Sequence, residues 1–180
     1  MELIKTDLEG AYLIKHNVFG DPRGFFMETH NHQKFSELGI QDVFVQDNLS
    51  KSSKGVIRGL HFQKPPYNQS KLVRVIAGSV LDVIVDLRKD SITYGKCFQI
   101  ELNCDNMLSL YVPASFAHGF ACLEDDTIFS YKCNNYYNKS SEQTILWSDS
   151  FLKINWNVEH PIISDKDKQG LSFEEFVSPF

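Results

Sequence analysis

Long apolar runs are missing from this chain. Nothing approaches the roughly 20 consecutive apolar residues that a membrane helix needs, so no membrane-spanning segment is expected. A secretory leader is not expected either, because the first residues carry Glu2, Lys5, Asp7 and Glu9 and no apolar core. Excess positive charge is also absent: 18 Lys and Arg face 23 Asp and Glu, for a net charge of -5. Long nucleic acid is bound by neutralising many phosphates, so that class of partner is not expected. A few well-placed Arg and Lys side chains can still hold one small anion. Cysteine is limited to Cys97, Cys104, Cys122 and Cys133, with no C-x-x-C pair. Zinc-knuckle and thioredoxin-like sites are therefore not expected, and the thiols read as reduced and mostly buried. A cytoplasmic location is expected. Glycine-rich phosphate loops, G-x-G-x-x-G and G-x-S-x-G are missing too, which excludes Rossmann and α/β-hydrolase enzymes.

What the chain has is aromatic weight and short alternating stretches. Its 14 Phe, 7 Tyr and 2 Trp suit strands better than helices. The clearest stretch covers 72–76 and 80–88, and Gly78-Ser79 between them reads as a hairpin turn. Alternation puts Leu81, Val83, Val85 and Leu87 on one face, and Val80, Asp82, Ile84, Asp86 and Arg88 on the other. Further strands are expected at 12–18, 24–30, 42–48, 56–63, 97–102, 108–112, 119–123 and 127–133. Asn31 as N-cap and Gly39 past the end predict one helix over 32–38, and a second is expected near 172–176. No repeat or linker divides residues 1–180, so one domain is expected. Many short strands and few helices predict an all-β double-sheet jelly roll, a fold that commonly holds a ligand between its sheets.

The most informative segment is Arg58-Gly59-Leu60-His61-Phe62-Gln63, followed by Gln69-Ser70-Lys71-Leu72-Val73-Arg74. A lone His in an apolar strand is usually structural. This one has Arg, Gln and Lys neighbours, which concentrate polar groups where a structural strand would bury carbon. Strict alternation puts Arg58 and His61 on opposite faces. If both line one pocket, the strand must bulge, and Gly59 is the expected place. Pro113-Ala114-Ser115-Phe116-Ala117-His118-Gly119-Phe120 brings a second His, whose ordinary reading is a turn residue bonded to backbone. Tyr131 shares a face with Phe129 and Cys133 and would ordinarily be an aromatic core position. Ser164-Asp165-Lys166-Asp167 alone is a solvated turn. Cupin-type barrels often hold a metal through H-x-H, but the second of those positions is Gln63 here. Two isolated His residues are too few for a metal site, so none is expected.

These segments together resemble the dTDP-4-dehydrorhamnose 3,5-epimerases. The similarity extends from about Phe19 to Asp167. It includes D-P-R-G-F-F-M-E-T, V-Q-D-N-L-S, V-I-R-G-L-H-F-Q, Q-S-K-L-V-R-V, L-D-V-I-V-D-L-R, P-A-S-F-A-H-G-F, Y-K-C-N-N-Y-Y and S-D-K-D. The resemblance implies a homodimeric cupin-like jelly roll with no cofactor. Its substrate would be dTDP-4-keto-6-deoxy-D-glucose, inverted at C3 and C5.

Such chemistry needs a base, a group to hold the enolate, and an acid on the opposite ring face. The resemblance implies His61 as the base, since imidazole titrates near neutral pH. It implies Asp167 as the carboxylate that orients His61, Lys71 as the enolate stabiliser and Tyr131 as the acid. By the same resemblance Arg23, Glu28, Gln46, Asn48, Arg58, His118, Tyr137 and Glu142 would line the substrate site. Guanidinium forks at Arg23 and Arg58 would suit a pyrophosphate. The chain departs from the family pattern at Ile92 and Asn157, where proline is usual. Two other readings stay open: a single-carbon epimerase of a related 4-keto sugar, and a non-catalytic sugar-binding cupin.

Overall fold

The computed structural model describes residues 1–180. In chain order its first half comprises β1 (Glu2–Lys5), β2 (Tyr12–Lys15), β3 (Val18–Asp21), β4 (Gly24–Met27), α1 (His32–Glu37), β5 (Gln46–Ser52), β6 (Val56–Gln63) and β7 (Lys71–Ala77). The second half comprises β8 (Ser79–Asp86), β9 (Cys97–Asn103), β10 (Leu108–Val112), β11 (Phe116–Cys122), β12 (Thr127–Cys133), β13 (Glu142–Thr144), β14 (Ile162–Ile163) and α2 (Asp165–Lys168). One sheet runs β1-β2-β10-β7-β12-β5, and the other runs β13-β6-β11-β8-β9 with β14 beside β6. The named strands pair antiparallel except β14 with β6, which is parallel, as is an isolated bridge between Ile145 and Leu171. A separate ribbon joins β3 and β4. The all-β jelly roll expected from the alternation is what forms.

The two facing sheets bury Val73, Val75, Val80, Ile84, Phe116, Phe120 and Phe129 between them. The second sheet is covered on its outer side as well. There Leu60, Leu81, Val83 and Val85 pack against Trp156, Phe173 and Phe176 of the C-terminal segment. Burying each of those three aromatics stabilises the fold by about 2 kcal/mol. Every residue of β8 is buried in consequence, and its two faces divide as the alternation predicted. The first sheet is capped outside by Phe35 of α1, which packs with Ile14, Ile40 and Leu72. Asn31 caps that helix by accepting the Lys34 N–H.

Three expectations need correction. Gly78-Ser79 is not a hairpin turn. β7 pairs with β10 and β12, whereas β8 pairs with β11 and β9, so the chain crosses between sheets at Gly78. Gly78 has φ +77, and a Cβ there would stand 2.4 Å from Thr127 Oγ1, so the corner requires glycine. The segment 172–176 is a turn rather than a helix. Ser172 Oγ accepts the Glu175 N–H, and the Phe173 N–H goes to Asp149 instead of a helical carbonyl. The late helix is α2, where Ser164 Oγ accepts the Asp167 N–H. The expected strand over 42–48 starts only at Gln46, because Asp42 is occupied by Ser70, Tyr111 and Asn134 side chains.

Candidate active site

The polar end of the space between the sheets contains two adjoining cavities of about 320 and 470 Å³. Both are lined by His61, Lys71, Tyr131, Asn48 and Glu142. Gln46 and Tyr137 line the first, and Arg58 and His118 line the second. His61 and His118 come from one sheet, on β6 and β11. Lys71 and Tyr131 come from the other, on β7 and β12. The cavities thus have an imidazole wall and a facing ammonium–phenol wall.

The bulge expected at Gly59 is present. Phe120 pairs with Arg58 and His118 with His61, so three steps on β6 match two on β11. The extra residue turns Arg58 and His61 to the same face. Gly59 takes φ +145, and a Cβ there would stand 2.5 Å from the Gly119 Cα. Glycine is therefore required on both strands at this crossing.

His61 is positioned from outside its sheet. β14 lies parallel to the start of β6 and delivers α2 beside it. Asp167 of α2 accepts from His61 Nε2 at 2.6 Å, and its other oxygen accepts the Gly59 N–H at 3.4 Å. An ionised carboxylate only accepts, so Nε2 carries the proton. Nδ1 has no protein partner and is the basic nitrogen. Burial would raise the Asp167 carboxyl, but the bond from His61 and the Gly59 and Ser164 contacts hold it below the usual range.

Lys71 is 9 % exposed and forms no ion pair, its one bond being to the His61 carbonyl at 3.5 Å. Burial lowers its ammonium, and the nearby Cys133, Asp82 and Glu142 act in the opposite direction. Tyr131 is raised, chiefly by burial, so its phenol holds its proton through neutral pH. Arg58 bonds only to Ser52 Oγ, through Nε and a terminal nitrogen. Two cations without carboxylate partners thus face the cavity.

At the mouth, Tyr137 OH donates to Glu142 at 3.1 Å, and Glu142 pairs with Lys166 of α2 at 2.5 Å. Gln46 accepts the Tyr137 N–H and donates to Asn48. Gln63, the residue in place of a second His, donates to the Tyr67 and Tyr136 carbonyls and accepts the Asn138 N–H. No group of three or more His, Cys, Asp and Glu side chains is gathered to hold a metal ion.

Two residues expected in the site lie elsewhere in this chain. Arg23 sits on the β3–β4 ribbon, paired with Asp21. Glu28 pairs with Lys34 at 2.8 Å and borders a separate recess with Met1 and Phe19.

The comparisons with known proteins agree with this geometry. A family profile described as dTDP-4-dehydrorhamnose 3,5-epimerase matches residues 5–175. The chain belongs to the dTDP-4-dehydrorhamnose 3,5-epimerase family. It is 50% identical over 174 residues to the enzyme of that name from Shigella flexneri, covering 96% of each chain. The crystal structure of the Elizabethkingia anophelis enzyme superposes with a TM-score of 0.94 at 49% identity, covering 97% of each chain. A dTDP-6-deoxy-D-glucose-3,5-epimerase from Legionella pneumophila, solved in complex with dTDP-4-keto-L-rhamnose, gives a TM-score of 0.94 at 40% identity. The chain covers 94% of that protein, and 98% of its own length is matched.

In this epimerase-family member the sequence reading passed over two polar groups. Asp82 is fully buried on the inner face of β8 and accepts from His118 Nε2 at 3.0 and 3.1 Å. A carboxylate between Val80 and Ile84 on a core face must have a partner, and that pattern was the available signal. Ser50 lines the larger cavity, and its buried hydroxyl has no protein partner. One serine in an exposed-looking strand carries no such signal.

Proposed function

We propose that this chain is a 3,5-epimerase of dTDP-4-keto-6-deoxy-D-glucose, yielding dTDP-4-keto-L-rhamnose without a cofactor. One observation carries the reading: an imidazole on one sheet faces an ammonium and a phenol on the other across one cavity. In this mechanism His61 Nδ1 takes the proton at C5. The C–H electron pair moves into the ring bond to C4, and the carbonyl pair moves onto oxygen. Lys71 holds the resulting enolate oxygen, and a charged donor in a desolvated site stabilises it far more than water would. Tyr131 returns a proton to C5 from the opposite face, giving inversion. The phenolate and the imidazolium are restored by exchange with water, and the same sequence then acts at C3. Asp167 keeps His61 in the tautomer whose Nδ1 is basic and steadies the imidazolium. Arg58 suits the pyrophosphate, while Tyr137, Gln46, Asn48 and Glu142 suit the base and sugar at the mouth.

The working unit is proposed to be a single-domain chain in a homodimer. Phe19, Phe25 and Phe26 are 62%, 59% and 69% exposed on the β3–β4 ribbon, an apolar display that one chain leaves uncovered. Arg23 and Glu28 could serve a nucleotide only if the ribbon of a second copy reached the cavity. A cytoplasmic location is proposed because all four cysteines are free, which suits a reducing compartment. No helix is long and apolar enough to cross a membrane.

The test is incubation with dTDP-4-keto-6-deoxy-D-glucose in heavy water. Deuterium at both C3 and C5 with inversion at both is expected. Exchange at one carbon would make the chain a single-carbon epimerase, and no exchange with retained binding would make it a sugar-binding cupin.

A further inference from the structure

The cavity holds a second His–Asp pair beside the first. His118 and His61 are direct cross-strand partners on β11 and β6, and Asp82 lies diagonal to His118 on β8. His118 is 6% exposed and Asp82 0%, so this pair is almost wholly removed from water. Both Asp82 oxygens lie on His118 Nε2, at 3.1 and 3.0 Å. The imidazole is stacked 6.0 Å from the Phe129 ring and tilted 6.4 Å from the Phe120 ring.

A carboxylate anion has no proton to give, so His118 Nε2 is an N–H donor. Burial pushes the His118 imidazole below its usual range, against the pull of Asp82, and the nearby Lys71 and His61 side chains act in the same direction as burial. The ring is then neutral, and Nδ1 holds a lone pair. That atom has no protein partner, and His118 borders the larger cavity.

We propose that Asp82 is a positioning residue: it locks His118 in the Nε2–H tautomer, so that wall of the cavity accepts a hydrogen bond instead of donating one. The proposal rests on the epimerase reading and assigns the sugar's orientation. A ketone oxygen and a pyrophosphate only accept, so neither can pair with an acceptor Nδ1. A sugar hydroxyl can. The ketone is left to Lys71, the unpaired donor on the opposite sheet. Without Asp82, His118 could flip its proton to Nδ1 or take a second one. It would then compete with Lys71 for the ketone oxygen, and unproductive binding would follow.

The direct test is long-range 15N–1H NMR of the imidazoles in the wild-type protein, which distinguishes the two neutral tautomers and the cation. His118 is expected as the neutral Nε2–H form at pH 7, assigned by its loss in His118→Asn. An Nδ1–H or cationic His118 would overturn the proposal, and this readout does not depend on turnover. The second arm is Asp82→Asn, isosteric and uncharged. Its kcat should fall about tenfold or more with a smaller change in KM, and its NMR should show mixed tautomers. In a His118→Asn background the same change should add little, because the two residues act as one unit. Full turnover in Asp82→Asn, or additive losses in the double variant, would overturn it. If the wild type itself fails to epimerise, the functional reading is wrong, while the tautomer result still stands or falls by the spectrum.

Discussion

His61 Nε2 and Asp167 Oδ1 stand 2.6 Å apart, although 106 residues separate them in sequence. The bond exists because β14 pairs with β6 and sets α2 against the strand that carries His61. Asp167→Asn keeps the shape but can offer a donor to the imidazole, releasing the wrong tautomer. Turnover should drop by about 100-fold or more while the melting temperature changes little. Steady-state kinetics with a calorimetric melt checks both, and unchanged turnover would remove Asp167 from the mechanism.

Lys71 makes the opposite trade. Its ammonium is buried without a carboxylate partner, so the fold bears the desolvation cost of a charge that the proposed mechanism uses. Lys71→Met should lose about 100-fold or more in kcat. It should also raise the melting temperature, by about 2–4 °C for each 1 kcal/mol recovered. A lower melting temperature would show that Lys71 is a structural cation.

Tyr131 and His61 should separate in isotope experiments. With Tyr131→Phe the base remains, so deuterium should still enter from heavy water. Inversion should be lost, because the proton returns to the face it left. Inverted product at the wild-type rate would assign the acid elsewhere.

Gly59→Ala tests the bulge. The new Cβ would meet the Gly119 Cα at 2.5 Å on a backbone with φ +145. The loss should be about 3 kcal/mol or more, with activity lost alongside, measured by denaturant unfolding. A stable, active variant would show that the strand can straighten there.

Acid should act through Asp86, away from the cavity. Burial alone would raise this carboxyl, but bonds from Arg88, Thr93 and Ser91 hold it at about 2, against an ordinary 3.8. A depressed carboxyl contributes its stability above the ordinary value. That stability is lost as pH falls from there towards the folded value. Melting temperature should therefore fall steeply between about pH 4 and pH 2, and less steeply in Asp86→Asn. Equal slopes would assign the acid lability to other carboxylates.

Much of this molecule was legible in the residues. Alternation gave the two faces of β8, because each carries apolar residues that meet a different core. The conflict between Arg58 and His61 in a regular strand foretold the bulge, since only an extra residue reconciles their faces. Other features needed coordinates. A glycine with positive φ serves a hairpin and a crossover alike, so Gly78 did not disclose that the chain changes sheets. Arg23 and Glu28 carry the residue types of the site, but only the fold reveals that one chain keeps them apart from the cavity. Asp82 was visible as a carboxylate on a core face, and its partner was not.

The corner at Gly78 has a consequence for the chemistry. Lys71 lies on the strand that enters it and Asp82 on the strand that leaves it, so a single residue couples the opposing walls of the reaction chamber. That residue borders neither cavity, yet it sits where one sheet passes into the other. Substitutions at Thr127, which crowds that corner, are therefore expected to act on the cavity only through the spacing of its walls.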